Sequence, residues 1–121
     1  MRHRFIYTRH DGGVSITCPS SNCVRYLMHG GRWPDRGVLW LGWQIVRQVV
    51  EGIAPSVAAQ WVYYMQRGGL TEHEALWLIA ERDCRRFGTA LELVDVSEIP
   101  TDRSNRNTWR RSANGGPIIT G

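Results

Sequence analysis

The residues best suited to binding chemistry lie near the C-terminal end of the chain. They comprise arginines at spacings of three and four residues, a further arginine and a tryptophan: Arg103, Arg106, Arg110, Arg111 and Trp109. If this segment is helical, Arg103, Arg106 and Arg110 form one basic stripe beside an aromatic ring. Guanidinium groups pair with phosphate or carboxylate, and an indole ring stacks on nucleic-acid bases. The segment therefore predicts either a phosphate-contacting surface or a solvated turn that Trp109 anchors by its burial.

A second group of candidate binding residues lies on a predicted helix over residues 38–51. This chain has 6 Trp among 121 residues, and Trp both fills cores and is enriched at interface hot spots. Trp40, Trp43 and Arg47 are spaced three and four residues apart, either away from or beside an aliphatic stripe of Leu41, Ile45 and Val49. A helix that is apolar on more than one side is either central in the core or shared with another chain. A homodimer is the simplest form of such sharing.

Residue patterns for catalysis and for metal binding are weak. His10 and Asp11 are adjacent in a predicted turn and point apart, whereas a catalytic triad needs them to face each other. Cys18 and Cys23 are not spaced like paired zinc knuckles, and Cys84 completes an apolar helix face although neighbouring arginines favour its thiolate. The chain has no Lys, which excludes a Walker lysine and a Schiff base. We therefore expect a protein that is not an enzyme, with no catalytic residue, metal or cofactor.

Composition places the chain among ordinary globular domains. Hydrophobic residues make up 42% and charged residues 21%, and no apolar run approaches the roughly 20 residues of a membrane-spanning helix. The net charge of +4 argues against an acidic mimic of DNA. All 15 basic residues are Arg, which suits phosphate recognition but is also what the codon bias of a GC-rich genome produces. With no segment resembling a signal peptide and an odd number of cysteines, we expect a reduced, cytoplasmic protein without membrane contacts.

The elements that position these residues follow from periodicity, turns and caps. Residues 4–18 alternate in polarity around a Gly-rich turn, which predicts a β-hairpin. A short helix is predicted from Ser20 or Ser21 to about Met28, and another from Ala54-Pro55 to Gly68. Thr71 and Glu74 form a capping box for a helix over residues 72–86.

The last third of the chain is predicted to return to the sheet. Residues 90–96 are predicted to pair with the hairpin, and Thr101-Asp102 to cap a short helical turn over residues 103–111. We therefore expect an α+β fold, with a small antiparallel sheet packed against three or four helices in a single domain over 1–111. Residues 112–117 are predicted to lack regular structure, and residues 112–121 to form a mobile or strap-like tail.

Four stretches spread over the chain form a distinctive pattern, at residues 5–16, 68–75, 82–84 and 99–112. The last contains Asp-Arg-x-x-Arg-Asn-x-Trp, beginning at Asp102. Together they resemble a family of small proteins of uncharacterised function found in proteobacterial genomes, prophages and other mobile elements. Its members tend to have an aromatic residue where this chain has Ser104-Asn105, so the resemblance leaves Trp109 as the anchor of the segment.

The resemblance implies an accessory role, because small proteins of mobile elements often act as inhibitors of host defence such as anti-CRISPR proteins. On this reading the chain is a non-catalytic binding protein whose partner is a host protein or nucleoprotein complex. The alternative is a nucleic-acid-binding regulator that uses the C-terminal Arg stripe, and steep salt dependence would distinguish it. The candidate partner-binding residues are Arg103, Arg106, Trp109, Arg110, Arg111, Trp40, Trp43 and Arg47.

Overall fold

Strands and helices separate along the chain in the computed structural model, which describes residues 2–120. The chain divides into two compact units. The first unit comprises residues up to Pro19 together with those from Phe87 onwards, and the second comprises Ser20–Arg86. The expected α+β class is confirmed, with the strands in the first unit and the α-helices in the second. The single domain expected over 1–111 stays a prediction, and its boundary does not coincide with this division.

The first unit is built on an antiparallel sheet with the strand order β2-β1-β3. Strand β1 is His3–Arg9, β2 is Val14–Thr17 and β3 is Gly88–Asp95. Both predicted pairings are confirmed, since Ile6 lies opposite Ile16 on β2 and opposite Glu92 on β3. Consecutive side chains of a strand point to opposite faces, and both Phe5 and Ile6 of β1 are buried. Ile6 packs with the buried Val94 and Ile99 and with the partly buried Ile16 and Ile118.

The C-terminal part of the first unit differs from the prediction. A single 3-10 turn covers Arg106–Thr108, so the helical turn expected over 103–111 is wrong on either side of it. Strand β4, Arg110–Ser112, pairs antiparallel with β5, Gly115–Ile119, so the expected absence of regular structure after residue 111 is also wrong. Gly115 and Gly116 have φ angles of 96° and 93°, which are accessible to glycine at little cost. The glycines thus allow the chain to reverse in a hairpin where we expected only a break.

The second unit consists of helices whose starts follow local capping rules. Helix α1 is Ser21–His29, α2 is Val38–Val50, α3 is Pro55–Arg67 and α4 is Glu72–Asp83. The Ser20 side chain accepts a hydrogen bond from Cys23 N, and Thr71 and Glu74 form both bonds of the predicted capping box. Helix α4 ends three residues before the predicted 86, because a 3-10 turn follows over Arg85–Phe87.

Helices α1 and α3 end against each other, and this contact holds the loop that follows α1. A Cβ atom at Gly30 would lie 2.6 Å from the backbone carbon of Arg67, and one at Gly68 would lie 2.5 Å from Gly30 N. Both glycines have positive φ, so no other residue fits at either position without displacement. The core of the unit lies around these helices and includes Val24, Leu27, Trp61, Met65, Leu76 and Ile79. None of the helices within residues 2–120 is long and apolar enough to cross a bilayer.

Candidate functional site

Helix α2 carries a broad apolar face that is exposed to solvent. Six of its apolar side chains are exposed, from 37% for Val49 to 91% for Leu39; the set is Val38, Leu39, Trp43, Val46, Val49 and Val50. At 3.6 residues per turn they fall, with Gly42, within an arc of about 140°. No charged residue lies in this arc over Val38–Val50. Exposed apolar patches of several hundred Å² are unusual on monomers and mark sites of interaction. We call these six residues the α2 apolar face.

A charged edge borders the α2 apolar face on the side of Trp43. A groove of about 270 Å³ lies there, lined by Trp43, Val46, Arg47, Val50 and Glu51. The Arg47 side chain forms no hydrogen bond or ion pair with any residue in the described range 2–120. A carboxylate on a partner would therefore find an unpaired guanidinium at this edge.

The inward side of α2 carries half-buried apolar residues around a buried polar one. Leu41 and Ile45 are half-buried, and Gln48 is the buried residue of the helix. Gln48 Oε1 accepts from Arg82 Nε at 2.8 Å, and its Nε2 donates to Gln44 O at 3.3 Å. Of the two alternatives for this helix, a position central in the core is therefore wrong, because six of its apolar side chains are exposed. Sharing of α2 with another chain stays a prediction.

The two tryptophans predicted on this helix have different environments. Trp43 belongs to the α2 apolar face and is 59% exposed. Trp40 is half-buried and meets Trp33 edge to face, with ring centroids 5.2 Å apart and planes at 66°. The Arg36 guanidinium lies 4.9 Å from the Trp40 ring centroid. Trp43 and Arg47 are thus accessible to a partner, whereas Trp40 mainly supports the loop before α2.

The C-terminal candidate residues are not brought together as a basic stripe. Trp109 is 2% exposed, which confirms the expected burial. Arg103, Arg106 and Arg110 are exposed, but they occupy an irregular stretch, a 3-10 turn and strand β4. The predicted helical stripe is therefore wrong, because the spacing of three and four aligns side chains only on a continuous helix. Arg110 Nη1 instead donates to Asn107 O at 3.1 Å and to Trp109 O at 2.7 Å.

Arg111 has a structural role, in contrast to its predicted role in partner binding. Its side chain is 0% exposed. Nη1 donates to Ala90 O at 2.7 Å, and Nε donates to Gly116 O at 2.9 Å. Nη2 lies 3.0 Å from Glu92 Oε1, an ion pair whose angles fall outside those of a hydrogen bond. The guanidinium joins the C-terminal hairpin to β3 and is not available to a partner.

The cavity next to this segment does not have the phosphate-binding chemistry that is predicted for the segment. It has a volume of about 580 Å³, and its lining includes Asp102, Ser104, Asn105, Thr108 and Trp109. Hydrogen bonds from the Ser104 side chain and backbone lower the pKa of Asp102, so this carboxyl is negatively charged at neutral pH. None of the four C-terminal arginines lines this cavity. Its hydroxyl, amide and carboxylate groups are poorly suited to a phosphate.

The shifted pKa values of several carboxyl groups are explained by turns, helix caps or burial. The Gly13 amide is the main cause of the lowered pKa of Asp11, which holds the predicted turn. The Thr71 amide is the main cause of the lowered pKa of Glu74 in the capping box. Burial raises the pKa of Asp83. No group of three or more His, Cys, Asp or Glu side chains within residues 2–120 is arranged to hold a metal ion.

Sequence reasoning missed the aliphatic members of the α2 apolar face, Val38, Leu39, Val46 and Val50. The available signal was the near absence of charge from the helix, in which Arg47 is the single charged residue between Val38 and Val50. That pattern indicates an unusually apolar helix without indicating which side is covered. Comparisons of the chain with protein-family models, with curated proteins and with solved structures gave no match.

Proposed function

We propose that this chain is a non-catalytic protein-binding module and that the α2 apolar face is its binding surface. The observation that carries the proposal is the exposure of six apolar side chains on one uncharged arc of a single helix. Complete burial of such a side chain in an interface contributes about 1.5–3 kcal/mol to the free energy of binding. Several of them together match the association cost of about 4–15 kcal/mol that any complex must overcome.

The spacing of the exposed residues suits insertion of the helix into a groove. Leu39, Trp43, Val46 and Val50 follow one another at intervals of four, three and four residues. This interval is the anchor pattern of amphipathic helices that bind in hydrophobic grooves. The complementary partner is a protein with an aliphatic groove and a carboxylate placed to meet Arg47.

The resemblance to proteins of mobile elements supports a proposal for the class of target. We propose a host defence protein or nucleoprotein complex of the CRISPR-Cas type, inhibited when α2 occupies its surface. The alternative function, a nucleic-acid-binding regulator using the C-terminal arginines, gains no support from their placement. Arg111 is buried, and the remaining arginines form no continuous stripe.

The experiment compares the wild-type chain with the double variant Leu39→Gln/Val50→Gln. Both are expressed in cells whose CRISPR-Cas system targets a plasmid, and transformation by that plasmid is counted. We expect the wild-type chain to restore transformation and the double variant to lose this effect. Ile119→Gln is the matched control, because Ile119 is also an exposed aliphatic residue but lies on β5. Equal activity of the double variant and wild type would show that α2 is not the inhibitory surface, and no activity of either would reject this target class.

Light scattering of the same purified proteins separates a host partner from a second copy of the chain. We expect a monomer for both wild type and the double variant. A wild-type dimer that becomes a monomer in the double variant would assign the α2 apolar face to self-association and would overturn the proposed host partner.

A further inference from the structure

A second candidate site lies within the helical unit, in a cavity of about 320 Å³. Residues from α1, α2, α3 and α4 and from the loop after α1 line it. Its charged lining consists of Arg32, Arg47 and Arg82 against a single carboxylate, that of Glu51. Arg82 is paired with Asp83 outside the lining, so Arg32 and Arg47 against Glu51 leave a net positive charge, which favours an anionic ligand.

Arg82 is held rigidly in the cavity wall. Its guanidinium carbon lies 4.1 Å from the centroid of the Trp61 ring, and its Nε donates to the buried Gln48 Oε1 at 2.8 Å. Nη1 pairs with Asp83 Oδ1 at 2.9 Å. A guanidinium fixed in this way loses little conformational entropy when it binds an anion.

Neither of the other two arginines of the cavity has a carboxylate partner among residues 2–120. Arg47 forms no hydrogen bond or ion pair with any residue of the described part of the chain. Arg32 stacks on aromatic rings, 5.3 Å from the centroid of Trp33 and 5.9 Å from that of Tyr26. Their N–H donors are therefore open to a phosphate, whose oxygens match the planar guanidinium fork.

An aromatic ring is held at the same cavity by an unusual backbone. Trp33 has a φ angle of 57°, which is rare for a bulky residue. Its carbonyl accepts from Gln66 Nε2 at 3.0 Å, and the adjacent Arg32 N donates to Met65 O at 3.0 Å. These bonds to α3 fix the loop, so that the Trp33 ring lines the cavity in a preformed position, with the Arg32 guanidinium over it.

We propose that this cavity binds a nucleoside phosphate, either as a free nucleotide or as the phosphorylated end of a single strand. The phosphate would lie among Arg32, Arg47 and Arg82, and the base would stack on Trp33. The volume lies at the lower end of the range of about 300–1,000 Å³ found for small-molecule sites, which suits one base and one phosphate. This site goes beyond the proposed function: it shares Arg47 with the edge of the α2 apolar face, but its other ligands, Arg32, Arg82 and Trp33, lie outside that face.

The test is a calorimetric titration of the full chain with adenosine monophosphate, adenosine and inorganic phosphate. We expect adenosine monophosphate to bind at least about tenfold more tightly than either fragment, because the arginines and the tryptophan act on different parts of it. Arg47→Gln and Arg32→Gln should each weaken binding by about tenfold, the loss typical of one charge-assisted contact. Arg85→Gln is the control of equal charge, since Arg85 pairs with Glu81 and does not line the cavity.

Competition by a 5′-phosphorylated oligodeoxyadenylate distinguishes the two sources of the ligand. Displacement of adenosine monophosphate that weakens steeply with salt would identify a strand end, and failure to displace it would identify a free nucleotide. The proposal is overturned if adenosine monophosphate shows no saturable binding or binds no better than phosphate, or if Arg85→Gln weakens it as much as Arg47→Gln. Leu39→Gln should retain nucleotide binding, so failure of this site and failure of the α2 apolar face are separate results.

Discussion

Helix α2 and the C-terminal segment from residue 102 to residue 119 invert the usual relation between residue type and burial. On α2, aliphatic side chains and Trp43 are exposed while Gln48 is buried. In the C-terminal segment, Arg111 is buried beside Trp109. Arg111 finds acceptors on β3 and β5, whereas the α2 apolar face has no neighbour within its own unit that covers it. The comparison shows that the supply of partners within the fold decides which candidate residues remain free to bind.

The largest effect should come from removing the aromatic anchor of the C-terminal segment. We expect Trp109→Ala to lower the free energy of unfolding by about 3–5 kcal/mol, since a large buried ring is replaced by a cavity. Trp43→Ala, on the exposed α2 apolar face, should cost less than about 1 kcal/mol. Urea unfolding of the two variants measures both values, and equal losses would contradict the contrast between the regions.

Removal of the buried guanidinium should have the next largest effect. Arg111→Met leaves Ala90 O and Gly116 O without donors and Glu92 without its ion pair. We expect a loss of about 2–4 kcal/mol, reduced from that of a fully buried pair because Glu92 is partly exposed. Arg110→Met, at the exposed neighbour, should change stability by less than about 0.5 kcal/mol. If Arg110→Met proved the more destabilising of the two, the structural role assigned to Arg111 would be wrong.

Substitutions on the α2 apolar face should change stability much less than those at Trp109 and Arg111. Leu39→Gln/Val50→Gln should change the free energy of unfolding by less than about 1 kcal/mol, because neither side chain is packed. The same variant should bind less to a dye that reports exposed apolar surface. A large loss of stability, seen as a lower midpoint in urea, would show that the face is covered within the chain.

The elements of the fold that the sequence predicts are those set by local residue patterns. The start of α4 was predicted because Thr71 and Glu74 satisfy backbone groups within four residues, and the hairpin because its turn and alternation are local. The C-terminal hairpin was not predicted, because Gly115 and Gly116 are equally typical of an irregular loop. The burial of Arg111 depends on Ala90 O, 21 residues away in the sequence, which no local pattern reveals.

The candidate site was predictable only where it depends on local sequence patterns. Trp43 and Arg47 were identified from their spacing on one helix, which is a local property. The exposed side of that helix depends on which neighbours exist to cover it, and this is a property of the whole unit. The cavity lined by Arg32 and Arg82 joins residues that are distant in the sequence, so spacing did not indicate it.

A smaller effect is expected on the stability of the fold at acidic pH. Hydrogen bonds from Arg2 and then from Ser97 hold the pKa of Asp95 well below its usual range. A carboxyl whose folded pKa is lowered contributes stability above its unfolded pKa of about 3.9 and loses that contribution as the pH falls further. We therefore expect Asp95→Asn to flatten the decline of stability between about pH 4 and pH 2. Asp35→Asn is the control, because Asp35 is exposed and outside the sheet; an equal flattening there would contradict the role of the Arg2 pair.

The most direct test of the central claim is photo-crosslinking in cells that contain the proposed target. A photoreactive amino acid is placed at Val46, in the middle of the α2 apolar face, and in a second protein at Ile119 on β5. We predict one discrete adduct with a host protein from position 46, lost when Leu39→Gln/Val50→Gln is added, and no such adduct from position 119. The absence of an adduct from position 46, or the same adduct from both positions, would contradict the assignment of α2 as the binding surface.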